Sequence, residues 1–394
     1  MKIILVHNRY QQPGGEDAVF AAEMALLRRH GNEMVEYIED NQRINGMNRF
    51  AVASRAIWSC SSQSKLNQIL QDTRPNAVHF HNTFLLISPS AYYACQKFAV
   101  PVVQTLHNYR LLCPAGTFYR NGHICEDCLG KTPPWPGILH ACYRDSRAET
   151  AVVSTMLTIH RWIRTWREQV DVYVALTEFA RKKFIEGGLP SEKIVVKPNF
   201  VHPDPGIREE KGLYALFVGR LSSEKGLRTL LWAWQYLQKI PLKIVGDGPL
   251  MEEVSAYVKT HKLEWVELIG RCNHEEVLEL MKGARYLVLP SECYETFGLV
   301  AVEAFACGVP VIASRLGAMA EIVDDGRTGL HFEPGNSEDL AAKVEWAWTH
   351  PEAMSEMGRE ARREYEEKYT AEKNYKMLLD IYERALSYHK RSSL

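Results

Sequence analysis

Residues 290–310 read PSECYETFGLVAVEAFACGVP and set two carboxylates, Glu295 and Glu303, eight positions apart. A turn-like Thr-Phe-Gly and a short apolar run separate them. Upstream, the run Gly219-Arg220-Leu221-Ser222-Ser223-Glu224-Lys225-Gly226 sets two cations five residues apart. Carboxylates accept hydrogen bonds from sugar hydroxyls, and a guanidinium with an ammonium neutralises a diphosphate. A ligand carrying both phosphates and hydroxyls suits the combination, which points to a nucleotide sugar. Taken alone, the Arg220/Lys225 turn could simply be solvated; the acidic segment in the same half of the chain gives it a purpose.

These residues need elements to hold them. Tyr286 to Leu289 is strand-like, and Gly308 with Pro310 ends the helix that follows. One carboxylate therefore sits in a strand-to-helix loop and the second about two turns into the helix. In open α/β sheets ligands bind beyond the carboxyl ends of the strands, where helix N-termini also present backbone N–H groups to anions. Gly219–Gly226 likewise follows a strand and opens a helix, so Arg220 and Lys225 gain the helix dipole. Gly246-Asp247-Gly248-Pro249 and Gly270-Arg271 end two further strands of this half. Gly246 and Gly248 allow close backbone approach to a ligand, or else only shape the turn.

The first half follows the same rhythm, with strands at Lys2–Val6, Ala77–Phe80, Val100–Leu106, Asp171–Leu176 and Ile194–Lys197. Gly14-Gly15 follows the first strand without a G-x-G-x-x-G fingerprint, which disfavours a nicotinamide cofactor. His107 follows another strand on the ligand edge, and His79 and His81 flank a third. A polar, Pro-rich stretch from Pro198 to Lys211 reads as the interdomain linker. Strand–helix alternation in both halves gives an α/β chain of two doubly wound parallel-sheet domains. The expected division is 1–204, with a Cys-rich loop at 108–145, then 205–371, then a terminal helix at 372–394.

Cys113, Cys125, Cys128 and Cys142 form a second constellation, in which 125/128 is a C-x2-C knuckle. Structural zinc on four thiolates, reduced or disulfide-paired cysteines, and an iron–sulfur cluster are the three readings. The segment His160–Arg167 interleaves cations with Trp162 and Trp166 at helical spacing. It reads as a helix packing its Trp face on the sheet and solvating its Arg face, with a membrane interface as the other reading.

The chain has 394 residues, 46% apolar and 24% charged, with a formal net charge of −1. That length calls for two cores, and that charge argues against a generally nucleic-acid-binding surface. The polar His7-Asn8-Arg9 that follows the first apolar residues does not fit a signal peptide. The expected location is the cytoplasm, with peripheral membrane contact left open.

The motifs G-R-x4-K-G, G-D-G-P and P-S-x3-E-x-F-G-x4-E-A-x-A-x-G-x-P-V-I-A-S occur here in the order shown by the family 4 glycosyltransferases, which this chain resembles along nearly its whole length. The resemblance implies the GT-B architecture of two Rossmann-like domains facing a cleft and a retaining hexosyl transfer in glycan or polysaccharide biosynthesis. It also implies a nucleoside-diphosphate sugar as co-substrate, no catalytic metal, and a glycan, lipid-linked or small-molecule acceptor. Arg220 and Lys225 would hold the diphosphate, Glu303 the ribose, and Glu295 the hydroxyls of the transferred sugar. Gly219, Gly246, Gly248 and Arg271 would join the donor site, with the Phe297-Gly298-Leu299 backbone facing phosphate and sugar. Gly15 would sit by the diphosphate and His107 near the transferred sugar. No Asp-x-Asp metal motif occurs. A nucleotide-sugar 2-epimerase of the same architecture and a non-catalytic nucleotide-sugar-binding protein are the competing readings.

Overall fold

A computed structural model describes residues 1–12, 14–209, 212–237 and 239–392. Pro13, residues 210–211, 238 and 393–394 lie outside it, and with them part of the expected linker and the end of the terminal segment. The chain forms two compact units. The first comprises Met1–Phe118, Cys125–Pro198 and Glu372–Leu394, and the second Tyr119–Ile124 and Asn199–Ala371. The division falls at Pro198/Asn199, six residues before the expected 204. Val201 explains this, because its N–H and C=O are bonded by Tyr369 O and the Tyr365 hydroxyl of the second unit.

In chain order the strands are β1 (Lys2–Arg9), β2 (Glu33–Asp40), β3 (Ala77–Asn82), β4 (Val102–Thr105), β5 (Tyr119–Arg120), β6 (His123–Ile124), β7 (Val172–Ala175) and β8 (Ile194–Val196). The series continues with β9 (Tyr214–Val218), β10 (Leu242–Val245), β11 (Val266–Gly270), β12 (Ala284–Leu289), β13 (Val311–Ser314) and β14 (Gly329–Phe332). The first unit's sheet runs β2-β1-β3-β4-β7-β8, all parallel. From β1 the chain crosses to β2 on one flank and then to β3 on the other. The loops after β1 and β3 therefore border the crevice where strand order reverses, the usual ligand position in such sheets.

The second sheet runs β11-β10-β9-β12-β13-β14, also parallel. Its reversal lies between β9 and β12, which places the Arg220/Lys225 loop and the Glu295 loop side by side. Central strands buried on both faces read as apolar runs, as Leu287, Val288, Val311 and Ile312 do.

β2 and β14 were not expected from sequence. Both are edge strands, and β2 (EMVEYIED) mixes acids with apolar residues without an apolar run; only Tyr37 and Glu39 in it are buried. In the first unit, Ile3, Leu5, Phe20, Met24 and Leu27 pack against Leu378, Ile381, Tyr382 and Ala385 of the terminal helix Ala371–Ser392. Each such side chain contributes about 1.5–3 kcal/mol of burial.

One helix corrects the reading of its tryptophans. The helix Arg147–Trp162 stops at Trp162, which is 73% exposed, while Trp166 is buried on a separate short helix, Thr165–Glu168. Arg164, at φ 56°, makes the break and splits the supposed single Trp face. Arg161 is not simply solvated either, since its guanidinium donates to Lys131 O, Thr132 Oγ1 and Leu111 O. Among the described residues no helix is long and apolar enough to cross a membrane.

Candidate functional site

The Gly219–Gly226 loop is wedged between two others. Leu221 N–H donates to Asp247 O and Leu250 N–H to Leu221 O, which ties it to the loop after β10. Glu292 N–H donates to Glu224 O, which ties it to the loop after β12. The approach is close enough to require glycine: a Cβ at Gly246, where φ is +141°, would lie 1.9 Å from Gly219 O. A Cβ at Gly226, at φ +70°, would lie 1.8 Å from Pro290 O. Backbone packing therefore holds Arg220, Lys225 and Glu295 on one rigid platform.

On that platform Lys225 Nζ lies 2.5 Å from Glu295 Oε1, and the Ser291 hydroxyl donates to the same oxygen at 2.8 Å. Burial works against both charges. For Lys225 the Glu295 carboxylate outweighs burial and raises the ammonium above its ordinary range. For Glu295 burial is likewise outweighed, by Lys225 and then Ser291, and the carboxyl is held below its usual range. Both groups are thus ionised at neutral pH. Arg220 is exposed, and among the described residues its guanidinium makes no ion pair, which leaves it available to an anion.

Gly298, at φ +94°, opens the helix Leu299–Ala306, and Phe297 anchors the turn by burying its ring against Tyr369 at 6.0 Å. Glu303 is the fifth residue of this helix, a little over one turn in rather than about two. It is buried, its carboxyl is raised by that burial, and His274 Nδ1 lies 3.6 Å from Oε1 in partial compensation. Ser291, part of the P-S-x3-E motif but given no role there, and His274, outside every motif, are further site residues. Ser291 had a signal in its place four residues before Glu295 in the same loop. His274 had none, because its proximity to Glu303 arises only from packing. Arg271 is exposed at the end of β11, and Gly270 O accepts from Gly246 N–H.

The remaining predicted residues belong to the first unit. Gly15 begins the helix Gly15–Arg29, but the neighbouring Gly14 N–H already donates to Asp17 Oδ2 at 2.8 Å. The chain's own carboxylate thus takes part of this helix end's anion-binding capacity. His107 Nε2 lies 3.0 Å from His81 Nδ1 with the rings stacked, and burial holds the His107 imidazole well below its ordinary pKa. His107 also lines a cavity of about 50 Å³ with His81, Gln104, Asn108 and Arg110.

Gly137 meets two of the four cysteines. Its α-carbon faces Cys128 Sγ and Pro114, the neighbour of Cys113, and its carbonyl accepts from Cys142 N–H. Cys125 enters from the knuckle, closed by the Leu129 N–H to Glu126 O turn. Burial first, then the nearby Cys113, Cys142 and Cys125, pushes the Cys128 thiol up to about 12.

Both halves of the chain resemble known glycosyltransferases. The model of the family described as glycosyl transferases group 1 matches residues 202–364, and that of glycosyltransferase family 4 matches residues 22–205. An uncharacterized glycosyltransferase of Methanocaldococcus jannaschii is 33% identical over 54% of this chain and 59% of its own length, so the match spans less than two thirds of that relative. The N-acetyl-alpha-D-glucosaminyl L-malate synthase of Bacillus anthracis is 24% identical over 85% of this chain and 82% of its own. Among solved structures, Anabaena HepE in complex with UDP superposes with a TM-score of 0.70 at 16% identity, covering 100% of both chains. With one family model on each half of the chain and two parallel α/β sheets beneath them, this chain belongs to the group 1 and family 4 glycosyltransferases and has the GT-B fold.

Proposed function

We propose that the chain transfers a hexose from a nucleoside-diphosphate sugar to an acceptor hydroxyl with retention of anomeric configuration. The observation that carries this reading is the Lys225–Glu295–Ser291 cluster beside the exposed Arg220, on loops locked together at the reversal of strand order. In this reading Arg220 and Lys225 bind the diphosphate and Glu303 the ribose. Glu295 accepts from hydroxyls of the transferred sugar, and the Phe297-Gly298-Leu299 backbone meets phosphate and sugar.

The bond from the anomeric carbon to the phosphate oxygen breaks while the acceptor oxygen bonds that carbon from the same face. The acceptor proton passes to the departing diphosphate. Charge grows on that diphosphate, so fixed cations aimed at it lower the barrier without reorganisation. Glu295, ionised and already paired with Lys225, orients the sugar rather than attacking it. His107 contacts sugar or acceptor from the first unit. UDP-glucose is the first donor to try, since HepE was solved with it. In this reading the enzyme acts in the cytoplasm, on a glycan, lipid-linked or small acceptor.

The nearness of Cys113, Cys125 and Cys142 to the Cys128 thiol supports a second, structural proposal: one zinc ion would clamp the loop between Cys113 and Cys142, with all four side chains ionised as ligands. Metal analysis of the purified chain and of a Cys128→Ser variant tests it; a metal-free, fully folded wild type would remove the proposal.

Incubation with a panel of nucleotide sugars and acceptors tests the main reading. Acceptor-dependent release of nucleoside diphosphate, with an NMR-assigned retained linkage, is the expected result. An epimerised nucleotide sugar formed without acceptor would replace the reading with the epimerase.

A further inference from the structure

The sheet face beneath the helix Gly15–Arg29 carries more ionisable groups than packing requires. Phe20, Glu23, Met24 and Leu27 share the buried stripe of that helix, so Glu23 enters the core with its apolar neighbours. His79 and His81, two apart on β3, reach the same layer. Lys197, fully buried just after β8, sets Nζ 2.6 Å from Glu23 Oε1 and 3.3 Å from Asn374 Oδ1. The other carboxylate oxygen, Oε2, lies 3.3 Å from His81 Nε2. Among the described residues neither of these two atoms has a hydrogen-bond partner of good distance and angle together, and at 3.3 Å each is within reach of the other. Buried polar atoms are rarely left alone, so each serves the other.

We propose that Glu23 and His81 are positioning residues that fix the His107 proton on Nε2. Glu23, ionised beside Lys197, can only accept, so His81 Nε2 must carry its hydrogen. With Nε2 turned to the carboxylate, His81 presents its Nδ1 lone pair to His107. His107 Nε2, 3.0 Å away, then donates to it, and His107 Nδ1 can only accept. His107 thereby orients a hydroxyl and cannot deliver a proton from Nδ1. The pKa directions agree: burial opposes the Glu23 charge but Lys197 and then His81 hold the carboxyl well below its usual range, and burial keeps His107 neutral.

The donor atoms of Glu23, His79 and His81 lie within 4.8 Å of one another, a grouping that could suit a metal. The Lys197 ammonium already supplies the positive charge. Both His79 nitrogens, moreover, face hydroxyls, those of Thr105 at 2.7 Å and Tyr382 at 3.0 Å.

The effect on turnover rests on the glycosyltransferase reading; the tautomer does not. Long-range 1H–15N spectra of the imidazoles, recorded on the whole 15N-labelled chain and assigned with His107→Asn, report the tautomer directly. The Nε2–H form in wild type is expected, and the Nδ1–H form or a charged ring overturns the proposal. The paired exchange E23M/K197M removes both charges without stranding either, and should mix the His107 tautomers. It should also lower kcat about tenfold, the worth of one neutral hydrogen bond, with the donor KM unchanged. An unmixed tautomer with unchanged kcat in a folded double variant also overturns it. If that variant fails to fold, H81Q replaces it under the same criteria, and the wild-type spectrum still decides. A wild type with the expected tautomer but no transfer would instead sink the enzyme reading alone.

Discussion

Lys225→Met removes one charge of the Lys225–Glu295 pair while keeping most of the side-chain stem. The two side chains are 29% and 17% exposed, so the pair lies between the buried and surface cases. Breaking a buried pair costs about 3–5 kcal/mol and a surface pair about 0–1. About 2 kcal/mol is therefore expected, a fall in Tm of roughly 4–8 °C. The pH dependence has a definite sign. In the wild type the depressed Glu295 carboxyl stabilises the fold above its unfolded pKa, and that stability is lost as pH falls through the lower folded value. In the variant burial acts unopposed by Lys225, so the carboxyl rises and its ionisation destabilises the fold. The Tm deficit should be complete at about pH 7 and shrink as pH falls from about 5 towards 3. Turnover should fall about 10²–10³-fold, the cost of losing one preorganised charge at a leaving group. Thermal denaturation across pH, paired with nucleoside diphosphate release, measures both. Unchanged turnover, or a Tm deficit independent of pH, would refute the reasoning.

Arg220→Ala should cut turnover to a similar degree while moving Tm by less than about 1 °C, because an exposed cation contributes little to folding; equal losses in both would make Arg220 structural. Gly246→Ala should destabilise by more than about 2 kcal/mol in denaturant titration, since its Cβ would strike Gly219 O at a φ that disfavours L-residues. Glu303, whose carboxyl is raised by burial, should bind nucleotide less well as pH falls and it takes up a proton. Calorimetry should show that dependence in wild type and none in Glu303→Gln, whose affinity should be about tenfold lower at neutral pH, with the gap closing as pH falls.

The donor-side elements were legible because each motif sits where a strand gives way to a helix, and the Gly-rich spacing of 219–226 and 246–249 names those junctions. The pairing of Lys225 with Glu295, 70 residues apart, was not legible, since only the placing of β12 beside β9 brings them together. Glu23 was open to a closer look: a carboxylate on the Phe20–Met24–Leu27 stripe signals a buried charge that needs a cation. Lys197 gave a weaker sign by following an apolar strand. β2 went unseen because an edge strand with one solvated face loses the apolar run that marks its neighbours. Trp162 misled because helical spacing says nothing about where a helix stops.

The first unit is finished by a segment that is made after the second unit. Residues up to Pro198 supply its sheet, yet Leu378, Ile381, Tyr382 and Ala385, which cover Ile3, Leu5 and Phe20, leave the ribosome only after the whole second unit has been synthesised. At about 5–20 residues per second that interval is on the order of ten to thirty seconds. During it the nascent first unit exposes an apolar face with a buried-type Glu23–Lys197 pair at its margin, a surface suited to chaperone capture. The order of translation, and not only the final packing, therefore bears on how much active protein a cell obtains.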